Sequence, residues 1–126
     1  MEFETIIKRL KSFGYEYKED VDAFPLDFTI VSVTNHVLCE TNCTAIPDKL
    51  MNIAIDMVCA EFLKVKKGFG QLTDYEFEQI ADSIKLGDAT VQLSEGATPE
   101  QKFDAVIEHI LSGHESDFIA CRKMVW

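Results

Sequence analysis

The chain has 126 residues and sets twenty-two Asp plus Glu against twelve Lys plus Arg, a net charge of −10. One domain fits that length, and the acidity repels a phosphate backbone or an anionic lipid surface, which disfavours a nucleic-acid reader. Hydrophobic residues make up 47%, enough for a real core and too many for a disordered chain, yet no apolar run approaches the ~18 residues of a membrane span.

The opening Met1-Glu2-Phe3-Glu4 has neither the basic nor the apolar region of a signal peptide, so an intracellular protein is expected, with Cys39, Cys43, Cys59 and Cys121 as reduced thiols. Phe3, Ile6, Ile7, Leu10 and Phe13 recur at three- and four-residue spacing, predicting a short helix over 2–13 that stops at Gly14. Residues 20–25, ending in Pro25, read as punctuation. From there Leu26, Ile30, Val33, Val37 and Leu38 predict a second helix over 26–41, with a strand as the competing reading because of its β-branched residues.

Pro47 and Asp48 set up a third helix over 48–67, ending in Lys64, Lys66, Lys67 and Gly68. Apolar residues cover most of its circumference, which predicts the central helix of the domain. Residues 75–93 are ambiguous. Gly87-Asp88 suggests a turn between two extended segments, a hairpin, while Phe77, Ile80, Ala81 and Ile84 also fit a helix over 74–84. Thr98-Pro99-Glu100-Gln101 is a helix start with a capping box and proline in the first position, predicting a helix to Leu111, and a closing segment runs from Asp117 to Trp126. The fold class expected is mainly α, a small helical bundle around one long central helix with a short hairpin or extended arm.

No chemical constellation points to an enzyme. His36, Cys39 and Cys43 share a helix face and suit a soft divalent ion, but their spacing is not that of a zinc knuckle and a fourth ligand would have to come from Cys59 or a distant histidine, so small buried cysteines are the better reading. His109 or His114 with Cys121 lacks an orienting third group, Glu76, Glu78 and Asp82 look like a solvated face, and Gly68-Phe69-Gly70 lacks the later Gly and Lys of a phosphate loop. Asn42-Cys43-Thr44 matches a glycosylation acceptor that would need secretion. No cofactor or metal is expected. Glu61 stands out, because the helical wheel places it among Leu50, Met57 and Val65, where an acid wants a cation from its own subunit or a neighbouring one.

The order of short motifs is distinctive: Leu26-Asp27-Phe28; Asn42 and Ile46-Pro47-Asp48-Lys49-Leu50; Lys66-Lys67-x-x-Gly70-x-Leu72; Ile84-Lys85-x-Gly87-Asp88-x-Thr90-Val91; and Arg122-Lys123-Met124-Val125-Trp126. Over nearly the whole chain this resembles the phage head–tail connector, or head-completion adaptor, proteins. The cysteine-rich connection at 39–46 departs from the pattern.

The resemblance implies a non-enzymatic, mostly helical subunit of the virion, assembled in the host cytoplasm. It would form a homo-oligomeric, dodecameric ring between the portal protein and a tail completion or tail terminator protein. DNA would pass through the ring without sequence-specific binding, and negative charge lining the channel would keep the duplex from sticking. Contacts with neighbours are expected at Gly87, Asp88, Thr90 and Val91, at Phe118, Arg122 and Trp126, which share one face if the tail is helical, and at an inter-subunit ion pair of Glu61. Two alternatives carry different predictions: a small acidic DNA mimic that inhibits a host factor, and the collar of a headless, tailocin-like particle.

Overall fold

The computed structural model describes residues 2–87, 98–112 and 114–122; these are mainly helical and contain no strand. Helix α1 spans Phe3–Ser12 and buries Ile6 and Leu10. It ends at Gly14, whose φ of +86° is left-handed, and a Cβ there would fall 2.7 Å from Ser83 Oγ and 3.1 Å from the Gln79 carbonyl oxygen. The missing side chain therefore serves both the turn and a close approach to a later helix.

Helix α2 spans Glu19–Thr41, so it begins seven residues before the expected start at 26 and contains the proline read as punctuation. Its entry is fixed upstream of Pro25: the Lys18 carbonyl accepts the amides of Val21 and Asp22, and the Asp22 carboxylate accepts the Lys18 amide at 2.9 Å. Pro25 then removes one early backbone bond without ending the helix. Leu26, Thr29, Val33, Val37 and Thr41 form its buried row. The two threonines fit there because each hydroxyl donates to the carbonyl four residues back, Pro25 and Val37, at 2.8 Å. Asn42, at φ 54°, closes the helix in the left-handed conformation.

After Pro47 a single 3₁₀ turn, Asp48–Leu50, leads into α3, Met51–Gly68. Nine of its residues are buried, including Ala54, Val58, Ala60, Phe62 and Leu63, because α1, α2 and α5 all pack on it. Ion pairs tie the rims of these contacts. Arg9 grips Asp56 with two nitrogens, at 2.6 and 3.2 Å, between α1 and α3. Lys67 bridges Glu100 and Asp104 between α3 and α5, and those two carboxylates raise its pKa.

The segment left open by periodicity is a helix, α4, Asp74–Gly87. An extended arm leading into Gly87 is thereby excluded, and Gly87 is the last residue of a helix rather than the first corner of a hairpin. Two things decide it. Thr73 and Glu76 exchange side-chain to backbone hydrogen bonds at 3.3 Å, which starts the helix. Phe77, Ile80 and Ala81 are buried on that helix, with Phe77 meeting Phe103 of α5 at a ring separation of 4.8 Å. The other half of the expected hairpin, with Asp88, Thr90 and Val91, lies outside the described residues.

Helix α5, Pro99–Leu111, starts at the capping box read from the sequence: Thr98 Oγ1 accepts the Gln101 amide at 3.2 Å and Gln101 Oε1 accepts the Thr98 amide at 3.0 Å. The short α6, Glu115–Ala120, lies against α2.

Candidate interaction face

Two features of α2 define the site, a buried polar anchor on one side and an uncovered apolar stripe on the other. The anchor is Asp22, which has no solvent exposure. Its Oδ1 accepts Lys66 Nζ at 2.7 Å, and its Oδ2 accepts both the Tyr15 hydroxyl at 2.7 Å and the Lys18 amide at 2.9 Å. Burial alone would raise the Asp22 carboxyl pKa, but the hydrogen bonds from Lys66, Tyr15 and Lys18, with the lysine's charge, outweigh it and hold the group below the usual carboxylate range. Burial and the facing carboxylate push the Tyr15 phenol well above its ordinary value. The cluster is a closed, satisfied network. It fixes the rotation of α2 about its axis, and so decides which face of α2 is left outside.

That outer face carries Val21, Phe24, Phe28 and Val31, exposed by 57%, 80%, 68% and 53%. At 100° per residue they fall nearly opposite the buried row Leu26, Thr29, Val33 and Val37. Their spacing of three, four and three is that of the first and fourth positions of a heptad, and Asn35 and Leu38 continue it. The four side chains leave roughly 450 Å² of apolar surface in water, within the range of the largest patch on an ordinary monomer and a usual mark of a contact surface. From Phe28 to Cys39 the helix has no charged residue, on a chain with a net charge of −10. Sequence reading misses the stripe because it takes residues 20–25 as a break, which hides Val21 and Phe24; the three-four spacing across Pro25 is the available signal.

The residues expected at contacts are distributed differently. Phe118 is buried, 6% exposed, with its ring beside His36 at 6.2 Å and His114 at 6.3 Å, so it seals α6 onto α2 instead of projecting outward. Helix α6 stops at Ala120, and Arg122 lies beyond it, exposed, with its amide bonded to the Ile119 carbonyl. Phe118 and Arg122 therefore do not share one helix, and the large apolar side chain that α6 exposes is Ile119, at 68%. Trp126 lies outside the described residues. Glu61 is half-buried on α3, and among the described residues it makes no ion pair; the internal cation of that helix, Lys66, belongs to Asp22.

The cysteine positions also separate. Cys39 is exposed, Cys59 is fully buried, and the Cys43 thiol sits 3.4 Å from the Thr41 carbonyl oxygen and 3.7 Å from that of Cys121. Among the described residues no group of three His, Cys, Asp or Glu is placed to hold a metal ion, and no helix is long and apolar enough to cross a membrane. No protein-family model, curated protein or solved structure matches this chain.

Proposed function

We propose that this chain is a structural assembly subunit, a ring-forming adaptor between the portal and the tail of a tailed phage or prophage particle, with no enzymatic role. The observation that carries the reading is the exposed apolar stripe of α2, uncharged from Phe28 onward, on an otherwise acidic helical subunit: a surface suited to contact with another chain. The order of motifs that resembles the head–tail connectors supports the same assignment. In this reading α3 is the central helix of the bundle. The 87–91 motif, Arg122 and Trp126 supply contacts to neighbouring subunits, the portal and the tail completion or terminator protein. The net charge of −10 suits a channel through which DNA passes without binding.

The acidic DNA-mimic reading rests on the charge alone and draws nothing from the order of motifs. The tailocin collar is a variant of the structural reading in which no capsid is present. The test is co-expression with the portal protein encoded in the same genome, followed by negative-stain imaging and mass measurement. Rings that cap the portal are the expected result; a chain that neither binds portal nor assembles on it overturns the adaptor, and inhibition of a DNA-binding host factor would put the mimic in its place.

A further inference from the structure

We infer that the outer stripe of α2 is a self-association seam, covered in solution by the same stripe of a second copy of this chain in a parallel, two-stranded pairing. Three observations select this occupant. The first is charge. A second copy brings another net charge of −10, which favours approach where charge is low; the stripe is uncharged from Phe28 to Cys39, and around Val21 and Phe24 the exposed charges beside it are Glu19, Asp20 and Asp27.

The second is area. Val21, Phe24, Phe28 and Val31 expose roughly 450 Å² of apolar surface, more than half of the ~800 Å² per partner of a standard interface. The half-buried Leu38 and the exposed Asn35 extend the same row toward that size.

The third is pattern. Val21, Phe28 and Asn35 occupy one heptad position and Phe24, Val31 and Leu38 the other, so a copy of the helix presents matching knobs and holes. The flanking positions are Asp20, Asp27 and Thr34 on one side and Pro25, Ser32 and Cys39 on the other. In a parallel pair each aspartate faces an uncharged residue, and Asn35 of one copy lies opposite Asn35 of the other, where a paired asparagine sets register. An antiparallel pair that overlaps the four apolar residues would bring the two Asp27 side chains together and leave Asn35 without its counterpart.

This contact does not rest on the adaptor reading. The same patch is used on both chains, so it closes at two, and a ring would require a second, different surface. Sedimentation equilibrium on the full chain tests it, with Phe28→Glu and Asn35→Lys on the stripe, Phe69→Glu as an exposed phenylalanine elsewhere, and circular dichroism to confirm folding. The wild type and Phe69→Glu should have the mass of two chains, and both stripe variants should dissociate at least about 30-fold more readily.

A wild type with the mass of one chain overturns the pairing, whether the stripe is then covered by the chain's own 123–126 segment or by a different protein. So does a dimer that Phe28→Glu and Asn35→Lys leave intact, or one that Phe69→Glu dissociates equally. A dimer that never assembles on portal leaves the pairing standing and removes the adaptor; portal-bound rings built from a wild type that has the mass of one chain when free do the reverse.

Discussion

Lys66 Nζ donates to Asp22 Oδ1 at 2.7 Å across 44 positions of sequence, with the aspartate fully buried and the lysine 6% exposed. Removing one partner leaves the other charge buried alone. Lys66→Met should therefore lower stability by about 3–5 kcal/mol in urea unfolding. The double variant Asp22→Asn/Lys66→Met should recover part of that loss, since no charge is then stranded.

The same pair sets an acid limit. The Asp22 carboxyl is held below its ordinary value in the folded chain, so the unfolded chain binds this proton more tightly. Its contribution is present above the ordinary carboxylate pKa of about 4 and is lost as pH falls through the depressed folded value. Melting temperature followed from pH 6 downward should fall below about pH 4, and the fall should be shallower in Asp22→Asn than in wild type.

Core packing around α3 can be graded by substitution. Phe62 has no solvent exposure and meets Tyr15 edge to face at 5.7 Å, so Phe62→Ala should cost about 3–5 kcal/mol. Met57→Ala should cost about 2–5 kcal/mol at 5% exposure, and the half-buried Ile53 clearly less. Equal losses at Met57 and Ile53 in chemical denaturation would contradict this packing.

Two glycines should respond with opposite signs. Gly14→Ala meets both a left-handed backbone and a 2.7 Å approach to Ser83 Oγ, and should destabilise by about 1–3 kcal/mol. Gly68 is helical, and a methyl group on its Cα would meet nothing within 4 Å, so Gly68→Ala should stabilise by about 0.4–1 kcal/mol. Paired thermal melts check both.

Thiol labelling should follow burial. Cys39 is exposed and should react first with an alkylating reagent. Cys59 is fully buried, and burial, with Asp56 nearby, pushes its pKa up to about 12, so it should label only as fast as the chain unfolds. Peptide mapping by mass spectrometry over time distinguishes the sites; early labelling of Cys59 would contradict the packing of α1 on α3.

The elements that can be read from sequence are those whose signals are local. The Thr98 and Gln101 capping box lies within four residues and forms as expected, and Ile6 and Leu10 mark their own helix face. What stays hidden depends on distance. Nothing near Asp22 announces Lys66, so the burial of Asp22 cannot be read locally, and Pro25 masks the three-four spacing of Val21, Phe24, Phe28 and Val31 that runs across it. Helix α4 can be found only in part, because Thr73 and Glu76 form a local start signal while the choice between helix and strand rests on Phe103, 26 residues after Phe77. Phe118 reads as an exposed anchor because its cover, α2, lies far back in the chain.

Helix α2 also has a history during synthesis. Asp22 leaves the ribosome 44 residues ahead of Lys66, an interval of roughly 2–9 s at about 5–20 residues per second. In the first part of it α2 itself is incomplete, and until α3 follows, its inner row has no cover while its outer row is open to solvent. A chain in that state exposes apolar surface that later contacts would cover, the condition in which folding chains aggregate. Holding by a chaperone until Lys66 emerges, or early encounter between neighbouring chains, would follow from the order in which the two faces acquire their cover.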